Sequence, residues 1–384
     1  MPFSKKLQSI LFCFCLAMSV ALSAAAQGMS QARAGSYTQT NLVSNLPGRA
    51  TTTDSNLKNP WGISFFRDLS PFWISDNNAG VATLYDGAGA PFPLGTALIV
   101  NIPVPNAATG GTPTGQVANI FASSNAFPLP GSGPGSGQPS LFIFATEDGT
   151  IAAWNQGVMP TTNAVLAVDN TAGTPGGGAD GAVYKGLAIG TDSNGRNFIY
   201  ATNFRSRHVD VFDSNFAPAN MNGAFPFIDR RVPRNYAPFG IQNVDGQLFV
   251  TYARQDAAKH DPVAGRGQGF VDIFDTDGNL VQRFERRGVL DSPWGVAKAS
   301  ENFGRFAGDI LIGNFGDGRI NAYSSKGRFL GVLIDSATGK PLVNDGLWAI
   351  TFGGALNSSP DTLYFTAGLN HEQDGLFGSI SPSS

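Results

Sequence analysis

The chain has 384 residues, 48 of them glycine and 24 proline, and only 14% are charged, well under the roughly 25% usual for soluble domains. Turn-formers at this density exclude long-helix architectures, and the glycines keep no three-residue period, which excludes collagen. A hydrophobic content of 42% supplies a core, and a net charge of −3 argues against nucleic acid or an anionic membrane as partner, because both reward concentrated basic surface.

In chain order, residues 1–26 carry the three parts of a secretory signal peptide. Lys5 and Lys6 form the basic start, residues 11–22 an apolar run, and three alanines at 24–26 a cleavage site before Gln27. A second small-residue site, Ala32-Arg33-Ala34, allows cleavage as late as 34. The run is shorter than the roughly 20 apolar residues of a membrane-spanning helix, and nothing comparable follows. The expectation is a protein that is secreted or periplasmic, monomeric and without a transmembrane segment. Cys13 and Cys15 both fall inside the apolar run, so the mature chain is expected to lack disulfides, thiolate metal sites and cysteine nucleophiles.

Residues 38–380 read as a single domain built on an internal repeat. An apolar strand opened by a Pro/aromatic-Gly step recurs as Asn59-Pro60-Trp61-Gly62-Ile63, Ala237-Pro238-Phe239-Gly240-Ile241 and Ser292-Pro293-Trp294-Gly295-Val296. Weaker copies are Thr112-Pro113-Thr114-Gly115, Val183-Tyr184-Lys185-Gly186-Leu187 and Gly346-Leu347-Trp348-Ala349-Ile350. The six small residues are spaced by about 57 positions on average. Each copy is followed by a strand (72–75, 141–146, 198–202, 248–252, 309–313, 363–366) and then by an alternating strand ending in an aromatic, such as Val209-Asp210-Val211-Phe212-Asp213. Period-two alternation bounded by Gly, Asn and Asp signals half-buried strands.

Six such units predict an all-β, six-bladed β-propeller, with a small residue wherever an inner strand crowds the axis. The last unit lacks an outer strand, whereas residues 38–46 are strand-like and belong to no unit. The N-terminal strand is therefore expected to complete the last blade. The Gly/Pro/Ser-rich stretches 102–115, 122–140 and 170–181 read as flexible surface excursions. Asp275-Thr276-Asp277-Gly278-Asn279 resembles a calcium loop without its distal Glu, and reads as a hairpin turn.

In a propeller, the downstream ends of the middle strands lie around one channel mouth. Those ends place Asp76, Glu147, Asn203 and Asn314 on one expected ring, a hard-oxygen set suited to Ca²⁺. The alternative is that Asp and Asn after a strand simply make Asx turns. Asp148, Arg254, Asp256, Asn370 and Glu372 are expected at the same mouth. His260 and His371, in the two long loops there, are candidates for a general base, against the plainer reading of exposed loop histidines. His208, beside Arg205 and Arg207, reads as a surface residue.

Phe144-Ala145-Thr146-Glu147-Asp148-Gly149-Thr150, Gly313-Asn314-Phe315-Gly316-Asp317-Gly318-Arg319-Ile320-Asn321 and Gly375-Leu376-Phe377-Gly378-Ser379-Ile380, with Asn59-Pro60-Trp61-Gly62, resemble shared phrases of a family of exported bacterial proteins of uncharacterised function. That family is similar to NHL-repeat and gluconolactonase-type six-bladed propellers, the latter holding a divalent metal at the channel mouth. The resemblance implies the fold and carries no matched metal motif. Two functions follow as expectations: a module that binds an extracellular glycan, peptide or small molecule on the channel face, or a Ca²⁺-dependent hydrolase of lactonase type.

Overall fold

The computed structural model of the protein describes residues 36–172, 180–219 and 223–383. The predicted signal peptide and the Gly176-Gly177-Gly178 run lie outside them. Among the described residues, six twisted antiparallel sheets run in sequence order around one axis. The first blade comprises Pro60–Ser64, Phe72–Asp76, Val81–Tyr85 and Val100–Asn101 from axis to rim, and the second Pro113–Ala118, Phe142–Thr146, Thr150–Trp154 and Val165–Asp169. The third has three strands, Tyr184–Thr191, Asn197–Asn203 and His208–Asp213. The fourth is Tyr236–Val244, Gln247–Arg254, Gly269–Phe274 and Leu280–Arg286, and the fifth Pro293–Lys298, Ile310–Asn314, Ile320–Tyr323 and Phe329–Val332.

The sixth blade closes the ring. Its inner strands Leu347–Phe352, Leu363–Gly368 and Asp374–Pro382 come from the C-terminal end, and Ser36–Ser44 adds to Asp374–Pro382 antiparallel, from Tyr37 opposite Pro382 to Ser44 opposite Leu376. The expected closing strand is thus present, two residues earlier than its sequence pattern suggests. Tyr37 is fully buried, stacks on Phe303 at 4.7 Å and donates to the Phe303 carbonyl at 3.1 Å, so closure is tied to the core between the fifth and sixth blades.

The recurrent small residue has a steric cause. A Cβ on Gly115 would lie 2.3 Å from the Leu187 amide nitrogen, and one on Gly240 would lie 2.2 Å from the Trp294 carbonyl oxygen, in each case the inner strand of the next blade. Every inner strand also skips register with its neighbour at this point, as between Pro60–Asp76 and Ile63–Ile74, or Pro293–Asn314 and Val296–Ile312. Such a bulge re-aims the side chain before the glycine. Buried threonine hydroxyls then staple blade to blade: Thr114 to the Tyr184 carbonyl at 2.8 Å, Thr202 to Phe239 at 2.7 Å and Thr366 to Trp61 at 2.6 Å.

Two of the predicted excursions are more ordered than composition suggests. Pro103–Val104 and Ala107–Gly110 form a hairpin, and Pro113 already belongs to an inner strand. The 122–140 stretch buries Phe127 and Leu129 in the core shared by the second and third blades, because two apolar residues suffice to anchor a loop that is otherwise turn-formers. Asp275 accepts from the amides of Asp277 and Asn279, the hairpin turn expected there. No helix among the described residues is long and apolar enough to cross a membrane.

Candidate functional site

The bulged position before each small residue points along the axis, and the six residues there are Trp61, Thr114, Lys185, Phe239, Trp294 and Trp348. Trp61 and Trp348 stack at 3.4 Å, Trp294 and Phe239 meet them edge-on or tilted, and Phe204 and Phe315 join from just beyond the second strands of the third and fifth blades. The axis is thereby plugged with aromatic rings. Lys185 occupies an aromatic slot, with its ammonium 5.2 Å from the Trp61 ring centre and 5.9 Å from that of Phe204.

Above the plug, at the mouth formed by the downstream ends of the second strands, charges converge from four blades. The Lys185 side chain is 1% exposed and ion-pairs with Glu147 and, at 3.3 Å, with Asp261. The other Glu147 oxygen accepts from Asn77 at 2.8 Å. Asp261 also meets His260 Nδ1 at 2.9 Å. This contact raises the imidazole pKa above its ordinary value and holds the Asp261 carboxyl down at about 2. Ligand atoms of Glu147, His260 and Asp261 all lie within 4.8 Å of one another. Glu372, from the sixth blade, accepts from Asn59 at 2.9 Å, and burial, reinforced by Glu147, raises its pKa.

Local structure explains how loops bring these groups in. Asp256 accepts from the backbone amides of His260 and Asp261 at 2.8 and 3.3 Å, curling the long fourth-blade loop toward the axis. Gln255 ties that loop to the Phe204 carbonyl at 2.6 Å. Asn370, His371 and Glu372 have φ of 53°, 56° and 66°, a run of left-handed non-glycine residues that costs free energy at each position. The run is held by Asn370 on Asp374 at 2.7 Å and by Asn78 on the Glu372 carbonyl at 2.6 Å.

Among the described residues no hydrogen bond joins members of the predicted metal quartet, and Asp76 Oδ1 and Asn314 Oδ1 are buried without a partner. Asp76 is fully buried and accepts from Thr83 at 2.7 Å, Asn203 donates to Asp210 at 3.0 Å, and Asn314 donates to the Val289 carbonyl at 2.8 Å and to Asp317 at 3.0 Å. Each is engaged in its own blade or in the loop leading into it. The physical reason is register. Asp76, Thr146, Asn203 and Asn314 are the equivalent residues, facing Pro60, Pro113, Tyr184 and Pro293. Glu147 is one residue further on, equivalent to Asn77, and one residue is enough to turn a side chain to the other face.

Of the other expected mouth residues, Glu372 joins the cluster and Asp256 shapes it. Asp148 is used by Thr112, whose amide and hydroxyl reach it at 2.7 and 2.8 Å. Arg254 is exposed and reaches Gln268 at 3.5 Å, and His371 and Asn370 are exposed. His260 lies in the cluster; His208 is exposed, as read. Lys185 and Asp261 were missed. The signal for Lys185 was in the repeat itself: a lysine standing where four other copies carry Trp or Phe.

No family model matches the chain. It is 34% identical over 347 residues to "Uncharacterized protein R648" of Acanthamoeba polyphaga mimivirus, covering 88% of this chain and 78% of that protein. It is 32% identical over 349 residues to "Uncharacterized protein L690" of the same virus, covering 88% and 84%. These relatives are viral, so the expectation of a bacterial, exported family finds no support in them. Among solved structures, a protein of unknown function from Bacteroides thetaiotaomicron aligns with a TM-score of 0.51 at 10% identity, over 90% of this chain and 76% of that one. Virginiamycin B lyase from Staphylococcus aureus aligns with a TM-score of 0.43 at 13% identity, over 90% and 98%. At 10% identity the first of these speaks to fold alone. The chain belongs to the family of these mimivirus proteins, and its fold is the six-bladed β-propeller.

Proposed function

We propose that the chain is a binding propeller whose ligand seats at the Glu147–Lys185–Asp261 mouth and presents a protonated amine or guanidinium, as on a basic peptide or a polyamine. The carrying observation is convergence: ionisable side chains from the second, third, fourth and sixth blades meet over a closed axis. Three carboxylates there face one ammonium and one imidazole, and Asp261, with 63% of its side chain exposed, offers an acceptor outward. The plug closes the axis behind the site, so this face receives a ligand without passing it through. Export, with an extracellular ligand, is part of the proposal.

A metal-dependent hydrolase of lactonase type is the second reading, favoured by the 4.8 Å grouping of Glu147, His260 and Asp261. A bound ion there would polarise a carbonyl oxygen and activate water. An imidazole among the donors suits a transition metal better than Ca²⁺. Against this reading, the Lys185 ammonium already bridges Glu147 and Asp261, and a cation would have to displace it.

Thermal-shift titration separates the two. Spermidine and an arginine-rich peptide are expected to stabilise the protein, and Asp261→Asn with Glu147→Gln to remove the shift. Equal shifts in the variants would overturn the binding reading. Stabilisation by Mn²⁺ or Zn²⁺ alone, lost in Glu147→Gln, would establish the metal reading instead.

A further inference from the structure

On the mouth face, the edge of the fourth blade carries the charge opposite to that of the carboxylates at the axis. Strand register lays four arginines along it. Arg207, in the third-blade turn between Asn203 and His208, donates through Nε to the Tyr236 carbonyl at 2.9 Å. Arg234 lies two residues before Tyr236, which opens the inner strand of the fourth blade and pairs with Arg254 at the end of its second strand. Arg254 reaches Gln268 at 3.5 Å, and the Arg287 amide, just past the fourth strand, donates to the Gly269 carbonyl at 2.8 Å. Three strand steps of about 4.8 Å carry the row roughly 14 Å from Arg234 to Arg287.

Arg234, Arg254 and Arg287 are exposed and Arg207 is half-buried. Among the described residues the ion-paired arginines are Arg196, Arg283, Arg286 and Arg319, and none of the row is among them. The acids around the row are spent elsewhere. Asp229 holds Arg283 and Arg286, Asp256 takes the amides of His260 and Asp261, Glu285 that of Arg286, and Asp291 that of Gly265. Burial and the nearby Arg234 lower the Arg207 pKa, the direction expected where like charges sit together unneutralised. Arg207 and Arg287 also hold left-handed backbone, with φ of 66° and 64°, where glycine or asparagine would cost less. Long cations kept at strained turns and left without a counter-charge point to an anion outside the chain. The aromatic rings at this edge face inward: Tyr236 and Phe270 meet at 4.8 Å and are both buried. The row therefore offers charge without a stacking platform for bases, and a chain of net charge −3 opposes a long polyanion.

We propose that this edge docks a short acidic peptide segment of a partner protein, with Asp and Glu carboxylates seated on Arg207, Arg234, Arg254 and Arg287. A guanidinium fork takes a carboxylate through two parallel hydrogen bonds. Alternate side chains of an extended peptide stand roughly 6.7 Å apart, so three acids on one face span the row from Arg234 to Arg287. The surface is distinct from the Glu147–Lys185–Asp261 mouth: it shares no residue with it and takes the opposite charge.

The test uses the full chain and an acetylated, amidated octaglutamate, titrated by calorimetry at low ionic strength. Saturable binding that weakens as salt rises is expected. Arg254→Gln with Arg287→Gln removes two exposed guanidiniums whose one side-chain contact is the 3.5 Å reach to Gln268, so the melting temperature is kept. This double variant should weaken octaglutamate by about fivefold or more, the worth of two exposed ion pairs. Lys326→Gln with Lys340→Gln makes the same change in net charge at exposed positions outside the row and should leave binding unchanged. Equal weakening by the two double variants would reduce the effect to overall charge and overturn the docking site. Unaltered binding in the arginine variant would place the peptide elsewhere and overturn it too. Tighter binding of octathymidylate or octagalacturonate than of octaglutamate would overturn the peptide assignment, and no saturable binding of octaglutamate would overturn the whole.

Discussion

Lys185→Met is the most informative single change, because methionine keeps the apolar contact with Trp61 and Phe204 while removing the charge. Deleting one partner of a buried ion pair costs about 3–5 kcal/mol when the other is stranded without water. Here the stranding is partial. Glu147 keeps Asn77 at 2.8 Å and its side chain is 13% exposed, and Asp261 is 63% exposed and rehydrates. The expected cost therefore lies at the low end, about 3 kcal/mol. Adding Glu147→Gln removes the stranded carboxylate, so the double variant should be more stable than the sum of the singles by about 1–3 kcal/mol. Asp261→Asn alone should cost under about 1 kcal/mol, as exposed pairs do. Urea unfolding of the four proteins at pH 7 measures the cycle. Additivity within about 0.5 kcal/mol, the level seen for independent sites, would refute the claim that Lys185 and Glu147 hold each other in place.

Three further outcomes test the frame around that site. Tyr37→Ala should cost about 3–5 kcal/mol, the range for emptying a buried aromatic position, if the N-terminal strand closes the ring; a melting temperature within a degree of the parent would deny closure. Gly240→Ala forces a methyl against the Trp294 carbonyl at 2.2 Å, so the fourth and fifth blades must part at a cost of at least about 1–3 kcal/mol; a neutral change would show that the blades are not in contact there. The His260–Asp261 pair has a defined window. The histidine contribution is complete below its ordinary value of 6.5 and is lost as pH rises through its raised pKa. The aspartate contribution is complete above 3.8 and is lost as pH falls through about 2. The loop should thus be held firmest between about pH 4 and 6.5, and an NMR titration should find the His260 midpoint above 6.5 and returned to it in Asp261→Asn. An unchanged midpoint in the variant would refute the pairing.

The six units were legible because each carries its own steric instruction. At five of the six positions a Cβ would crowd the next inner strand and glycine stands there, with alanine at the sixth, and that requirement leaves Gly62, Gly115, Gly186, Gly240, Gly295 and Ala349 visible in the chain. The closing strand was legible by default, since residues 38–46 were strand-like and unclaimed. The site was half legible. Glu147, His260 and Glu372 were placed at the right mouth, but Asp76, Asn203 and Asn314 were aligned with Glu147 one residue out of register. Strand patterns repeat every two residues, and nothing in an Asp or Asn after a strand tells which of two adjacent positions faces the axis. The bulge decides it, and the bulge is a property of the paired strands.

Thr114 and Lys185 carry the consequence of that near-symmetry. Four of six axial positions hold Trp or Phe, and six would fill the axis with an uncharged plug on both sides. The two exceptions sit in adjacent blades, the second and third. Thr114 is small and turns its hydroxyl to the Tyr184 and Ala145 carbonyls at 2.8 and 3.2 Å, so it adds neither bulk nor charge. Lys185 then leans into the space over Trp61 and meets Glu147, which stands one residue beyond the strand that Thr114 pairs beside. An aromatic residue at 185 would leave Glu147 with Asn77 and Asp261 with His260 as their remaining partners, two carboxylates without the ammonium that now bridges them. The lysine makes an acidic mouth compatible with an aromatic plug. Chemistry at this end therefore comes from breaking the repeat at one axial position.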